Sequence, residues 1–231
     1  MTTYRPIDKM SLLTTSHYKM LLVMARFGIS LGFGDKTIDE VCIENGVDTN
    51  TFLAVVDLIL DRDEKNDFSN RQISVNELVC YLQNSHSFFL GFRFKTIRTE
   101  LEKIMNNDNN ELSKAVLHYF DEYVLEVKKH MEYEEKMLFP YIRQLLDNKP
   151  DSNYNVNIFA KQHSQVEKRL NEFKSLIIKY YPIKSSNELN SVLFDIFACE
   201  EDLASHNAIE DRLLVPLVRN LEGTVVKRWE H

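Results

Sequence analysis

The chain has 231 residues, 44% of them apolar and 27% charged, with a formal net charge of −7. That length can bury a sizeable core, and the acidic balance argues against a nucleic-acid or anionic-membrane partner. The longest apolar run, Met20 to Ala25, is far too short to span a bilayer, which excludes a helical membrane protein. Six glycines and five prolines point to long helices joined by short loops. No signal-peptide pattern opens the chain, and Cys42, Cys80 and Cys199 form no CxxC pair; both features suit a reducing cytoplasm.

In chain order, the first expected helix covers 7–27 and ends at Gly28. Gly32 and Gly34 make a turn, Thr37 caps a short helix that stops at Asn45–Gly46, and Thr49 caps another running to Leu60. The polar run Asp61–Asp67 separates this small helical N-terminal domain, residues 1–65, from a larger domain over residues 74–223. There Ser74 and Glu77 form a capping-box pattern opening a helix that runs to about Met105. After an Asn-rich turn at 106–110, a second helix runs from Glu111 to about Asp147. A third spans about Val156 to Tyr180 and stops before Pro182. A fourth, opened by Ser185 with Glu188, runs to about Leu221 and ends at Gly223.

The apolar seams of these helices step by three and four. The second carries Leu112, Val116, Phe120, Tyr123 and Val127, then His130 and Glu134, then Met137 and Tyr141. The fourth carries Leu189, Val192, Ile196, Cys199 and Leu203, then His206 and Glu210, then Leu213 and Leu217. The first and third also hold a seam histidine, His86 and His163. Four long amphipathic helices with short connections predict an all-α, up-down-up-down four-helix bundle preceded by the small helical domain.

The tract from His130 to Pro140 recurs from His206 to Pro216, each copy placing Glu four residues after His and Pro six after Glu. One helical turn is 3.6 residues, so each His/Glu pair shares a face. His86 precedes His130 by 44 residues and His163 precedes His206 by 43, so the bundle reads as a duplicated helix pair. Buried carboxylates without a cation cost several kcal/mol, of order, and no Lys or Arg holds an opposing seam position. The pattern therefore predicts a metal centre built from His86, His130, Glu134, His163, His206 and Glu210. Four imidazoles and two carboxylates exceed the needs of one tetrahedral zinc, and calcium or magnesium prefers oxygen donors. Mixed N/O ligation across four helices fits two iron ions, with manganese the second choice. Two bridging glutamates, four histidines and a bridging oxo or hydroxo group would leave two positions for water, dioxygen, nitric oxide or peroxide.

The four-helix segment, with its paired His-x-x-x-Glu and following Pro, resembles a hemerythrin-like domain. With its N-terminal region, the whole chain resembles the repair-of-iron-centres family of di-iron proteins. That resemblance implies four histidine ligands and two bridging glutamates at the six positions named, and a role in restoring iron–sulfur clusters damaged by nitric oxide or peroxide. Iron–sulfur proteins are then the expected recipients of iron. One departure is visible. The family's N-terminal domain carries two adjacent cysteines followed by glycines, whereas this chain has Gly32–Phe33 at that point, within Arg26–Lys36. Chemistry through a thiol pair is not expected here, and Cys42 is read as a packed core residue.

Alternatives to repair are dioxygen or nitric oxide binding of hemerythrin type, or reduction of nitric oxide or peroxide at the centre. Glu167, four after His163, is a candidate extra ligand weighed against a solvated role. Glu135 and Asp211 are expected to face away from the seam and pair with Lys136 or Arg212; His118 is expected off the seam. Residues 37–60 have helix-turn-helix spacing, but they carry Asp39, Glu40, Glu44, Asp48 and Asp57 with no Lys or Arg, which does not suit phosphate contact. The pattern leaves a homodimer open.

Overall fold

The computed structural model describes residues 4–60, 68, 71–105, 111–149, 154–159, 166–181 and 187–229, with the helical backbone alone at 166–168 and 225–229. The expected boundary at Asp61–Asp67, the turn at 106–110, Pro182, the Ser185 cap and His163 lie outside them. The protein is all-α, with a single isolated bridge, Lys9 to Thr37, as the extended pairing among the described residues. No described helix is long and apolar enough to cross a membrane. The chain divides into two compact units. One comprises Met1–Ser85, Leu145–Pro150 and Ala208–His231; the other comprises His86–Gln144 and Asp151–Asn207.

The first unit opens with α1 (Met10–Ser16) and α2 (Met20–Arg26), not with one helix over 7–27. The break falls after a Thr-Thr-Ser run: Thr14 donates to the Met10 carbonyl and Thr15 to the Ser11 carbonyl. Such side-chain bonds to the helix's own backbone favour ending it. Helix α2 ends as expected at Gly28, whose φ of 73° lets Ile29 donate back to the Met24 carbonyl. Helix α3 (Ile38–Glu44) starts with a full capping box between Thr37 and Glu40. Helix α4 (Thr49–Leu60) is capped by Asp48, not by Thr49. The Asp48 carboxylate accepts from the Thr51 N–H at 2.8 Å, while the Thr49 hydroxyl donates to Asp39. Helix α5 (Val75–Phe88) keeps half of its expected box. Ser74 accepts from the Glu77 N–H, but the Glu77 carboxylate turns to the Asp48 N–H. Phe27 packs on Phe52 and Tyr81 at 5.5 and 4.9 Å between ring centres, joining α2, α4 and α5 in one apolar core.

The second unit is a four-helix bundle. Its rods are α6 (Phe94–Met105), α7 (Glu111–Tyr133), α10 (Val166–Tyr180) and α11 (Asn187–Ile209). The short α8 (Phe139–Leu146) and α9 (Val156–Phe159) lie between α7 and α10 in the chain. One continuous core contains Phe94, Ile97 and Leu101 from the first rod and Val116, Phe120, Tyr123 and Val127 from the second. Leu170, Phe173 and Ile177 come from the third, and Val192, Ile196, Cys199 and Leu203 from the fourth. Burying each large side chain contributes about 1.5–3 kcal/mol, so this core holds the rods in register. Cross-rod ion pairs, Arg93 with Asp195 at 2.8 Å and Arg98 with Asp121 at 2.7 Å, fix the helices from outside the core.

The expected α-helical period slips in three places. A π-helical turn occupies Phe89–Arg93 after α5, another Glu134–Leu138 after α7, and a third Glu210–Leu214 after α11. In each, an N–H bonds the carbonyl five residues back: Phe94 to Phe89, Phe139 to Glu134, and Val215 to Glu210. Each turn inserts one residue; Ile97, Leu101, Tyr141 and Leu213 are buried as expected, but at two positions the buried side chain is the next one along. Met137, expected inside, is 49% exposed and Leu138 is fully buried in its place; Leu217 is half-buried while Val218 is fully buried. The repeated prolines follow the same geometry. A proline in a helix clashes with the carbonyl four residues back. For Pro140 and Pro216 those carbonyls belong to Lys136 and Arg212, inside the wider π turns. The last helix, α12 (Val215–Trp229), runs through Gly223 instead of ending there, because an interior glycine costs only about 1 kcal/mol.

Candidate metal centre

His86, on the last turn of α5, Glu134, opening its π turn, and His206, on α11, are 4%, 0% and 1% exposed. Glu210 is one turn beyond His206 on the same unbroken rod and is fully buried. One ligand atom from each of the four lies within 4.8 Å of the others. The helices place them there by the expected i, i+4 stacking; the π turns begin at the two glutamates themselves.

The rings are held by aromatic packing. His86 stacks on Phe139 at 5.6 Å with 17° between planes. Phe89 meets His206 edge-on at 6.0 Å, and His130 stacks on the buried Phe159 at 6.2 Å. His130 is 12% exposed and contributes no atom to the group of four, yet its Nε2 lies 2.8 Å from Glu134 Oε1. On the opposite oxygen, Glu134 Oε2 lies 2.8 Å from His86 Nε2. Glu134 thus faces histidines from two different helices, α5 and α7.

The donor set fits a metal cation on geometry as well as on residue type. Both oxygens of Glu134 are sealed from solvent, and neither 2.8 Å approach has hydrogen-bond geometry. Two donor atoms about 2.1 Å from a shared ion, in adjacent octahedral positions, stand about 3 Å apart. Imidazole nitrogens and carboxylate oxygens at that spacing leave a position that a metal cation fits.

One side chain does not follow the sequence expectation. Glu135 does not turn away to a lysine: its Oε1 accepts from His86 Nδ1 at 2.8 Å, while Lys136 pairs with Glu132 instead. The π turn has more residues per turn than an α-helix, so consecutive side chains diverge less and both Glu134 and Glu135 reach the same imidazole. No local pattern distinguishes Glu135 from a surface glutamate. His118, expected off the seam, is exposed and pairs with Glu122 at 3.4 Å. Of Glu167 only the helical backbone is described.

A small cavity, lined mainly by Val127, Met131, Leu170 and Leu203, borders His130 and His206. Cys42 is fully buried, and loss of solvation pushes its thiol up to about 12, so it stays protonated at neutral pH. Gly32 has a φ of 95°, a conformation that a side chain strains.

No curated protein matches the chain. The model of the hemerythrin HHE cation-binding domain matches residues 93–218, which include Glu134, His206 and Glu210 with both π turns that start at the glutamates. A buried His/Glu group that can hold a metal cation, carried on a helical bundle over more than half of the chain, agrees with that match, and the chain belongs to the hemerythrin HHE cation-binding domain family.

Proposed function

We propose that the protein holds two iron ions and supplies iron to repair iron–sulfur clusters damaged by nitric oxide or peroxide, as the repair-of-iron-centres resemblance implies. The observation that carries the reading is the buried group His86, Glu134, His206 and Glu210. His86 and His206 would hold one ion, and His130 with His163 the second. Glu134 and Glu210 would be shared between the two. Bound iron would supply an exchangeable, redox-active cargo. The chain's own contribution is anionic and orienting. Glu134 offers one oxygen toward His86 and the other toward His130, and Phe139, Phe89 and Phe159 pack against the imidazoles and restrain their tilt. Only two of the six side-chain donors are anionic, so two divalent ions with a bridging hydroxide would keep one net positive charge, which favours release to an anionic acceptor. Iron-loaded protein mixed with a nitric-oxide-damaged iron–sulfur enzyme should restore its activity; no restoration above an equal amount of free iron(II) refutes the repair role.

The cavity beside His130 and His206, with room for about one water-sized molecule, supports a second reading, binding of a diatomic ligand such as dioxygen or nitric oxide. A reversible spectral change on ligand addition and removal, with iron retained, would favour that reading over iron supply.

A further inference from the structure

We propose that Glu135 is a positioning residue of the metal centre, and that its bond to His86 sets how fast a metal ion leaves. The inference rests on reading the buried His/Glu group as a metal centre, but not on the fate of the iron.

His86 is gripped along both edges by consecutive glutamates: Glu134 Oε2 is 2.8 Å from Nε2, and Glu135 Oε1 is 2.8 Å from Nδ1. An ionised carboxylate only accepts, so Nδ1 carries the proton in this bond. The bond turns the ring so that Nε2 faces Glu134 Oε2, where a cation would sit. A second partner that fixes the tautomer and plane of a ligating histidine raises metal affinity by about 10- to 100-fold. Phe139 stacked on the ring restrains its tilt but cannot select which nitrogen bears hydrogen.

Exposure separates the two glutamates. Glu134 is sealed, whereas the Glu135 side chain is 35% exposed. The bond orienting His86 is therefore open to competition from water, while the carboxylate touching the metal position is not. Breaking the outer bond frees the imidazole to rotate its Nε2 away from the ion, and the outer bond is the one solvent reaches. His86 is accordingly the ligand through which release begins.

The test follows iron(II) loss from the full-length, loaded protein to an excess of a coloured chelator, under anaerobic conditions. Glu135→Ala should release iron about 10- to 100-fold faster than the parent. Glu135→Gln, whose amide oxygen still accepts from Nδ1, should stay within about threefold of the parent. Glu132→Ala removes an equal charge from an exposed residue that pairs with Lys136 and should leave the rate unchanged. With cobalt(II) in place of iron, the visible ligand-field bands should shift in Glu135→Ala and not in Glu132→Ala. In the zinc(II)-loaded protein, where the metal occupies Nε2, the Nδ1 proton of His86 should exchange slowly with solvent in the parent and much faster in Glu135→Ala. Release at the parent rate in Glu135→Ala overturns the proposal, as does equal acceleration in the Gln and Ala variants or in Glu132→Ala. If the alanine variant fails to fold, the glutamine rate and the parent's Nδ1 proton decide alone: a glutamine variant more than about tenfold faster than the parent, or a parent Nδ1 proton that exchanges as fast as an unbonded imidazole N–H, refutes it. A failed cluster-repair assay leaves these rates untouched, and unchanged rates leave the repair assay untouched.

Discussion

Replacing Glu134 by glutamine removes one anionic oxygen from between His86 and His130 while keeping the shape of the side chain. The magnitude follows from linkage. A ligand that binds only the folded state stabilises it by RT ln(1 + [L]/Kd), about 2.7 kcal/mol when the metal is at 100 times Kd. For a chain of this size each kcal/mol moves Tm by about 2–4 °C, so metal should raise the parent's Tm by roughly 5–11 °C. If the substitution weakens binding about 100-fold, the same metal concentration equals the new Kd. The stabilisation falls to about 0.4 kcal/mol, or roughly 1–2 °C. Calorimetry of the full chain, with and without anaerobic iron(II) or with cobalt(II), reads both increments. A Glu134→Gln variant that keeps the parent's full metal-induced rise would refute the assignment of Glu134 to the centre.

The slipped seam makes a second prediction. Leu138→Ala should destabilise by about 2–5 kcal/mol, whereas Met137→Ala, on an exposed site, should stay within about 0.5 kcal/mol. The reverse order in denaturant titrations would restore an uninterrupted α-helix at this point. A third concerns the thiols: with an aromatic disulfide reagent at neutral pH, exposed Cys80 should react rapidly, and buried Cys42 and Cys199 only after unfolding. Rapid reaction at Cys42 would contradict its burial and its raised pKa.

Much of the fold was legible because the chain repeats itself. The i, i+4 spacing of His130/Glu134 and His206/Glu210 is a statement about one helical face, and it needs no tertiary information. The buried positions of His86 and His206 followed from seams whose neighbours, such as Leu82 and Leu203, are apolar. The π turns were not legible. Periodicity averaged over a long helix absorbs one inserted residue, and Met137 and Leu138 are both acceptable core side chains. The prolines six residues after each glutamate were the available signal, since Pro140 and Pro216 fit a helix interior poorly unless the preceding turn is widened. Capping was partly misread for the same local reason: Asp48 and Thr49 are both good caps, and Glu77 and Asp39 decide between them from elsewhere in the fold. Glu135 was missed because its role depends on the ring it meets from another helix, 49 residues earlier.

The most direct test is to strip the purified chain of metal, dialyse it anaerobically against iron(II), and measure bound metal per chain in the parent and in a His86→Ala, His206→Ala double variant. The account expects two ions per parent chain and loss of at least one in the double variant. A parent that retains no metal, or a double variant that binds as much as the parent, would contradict it.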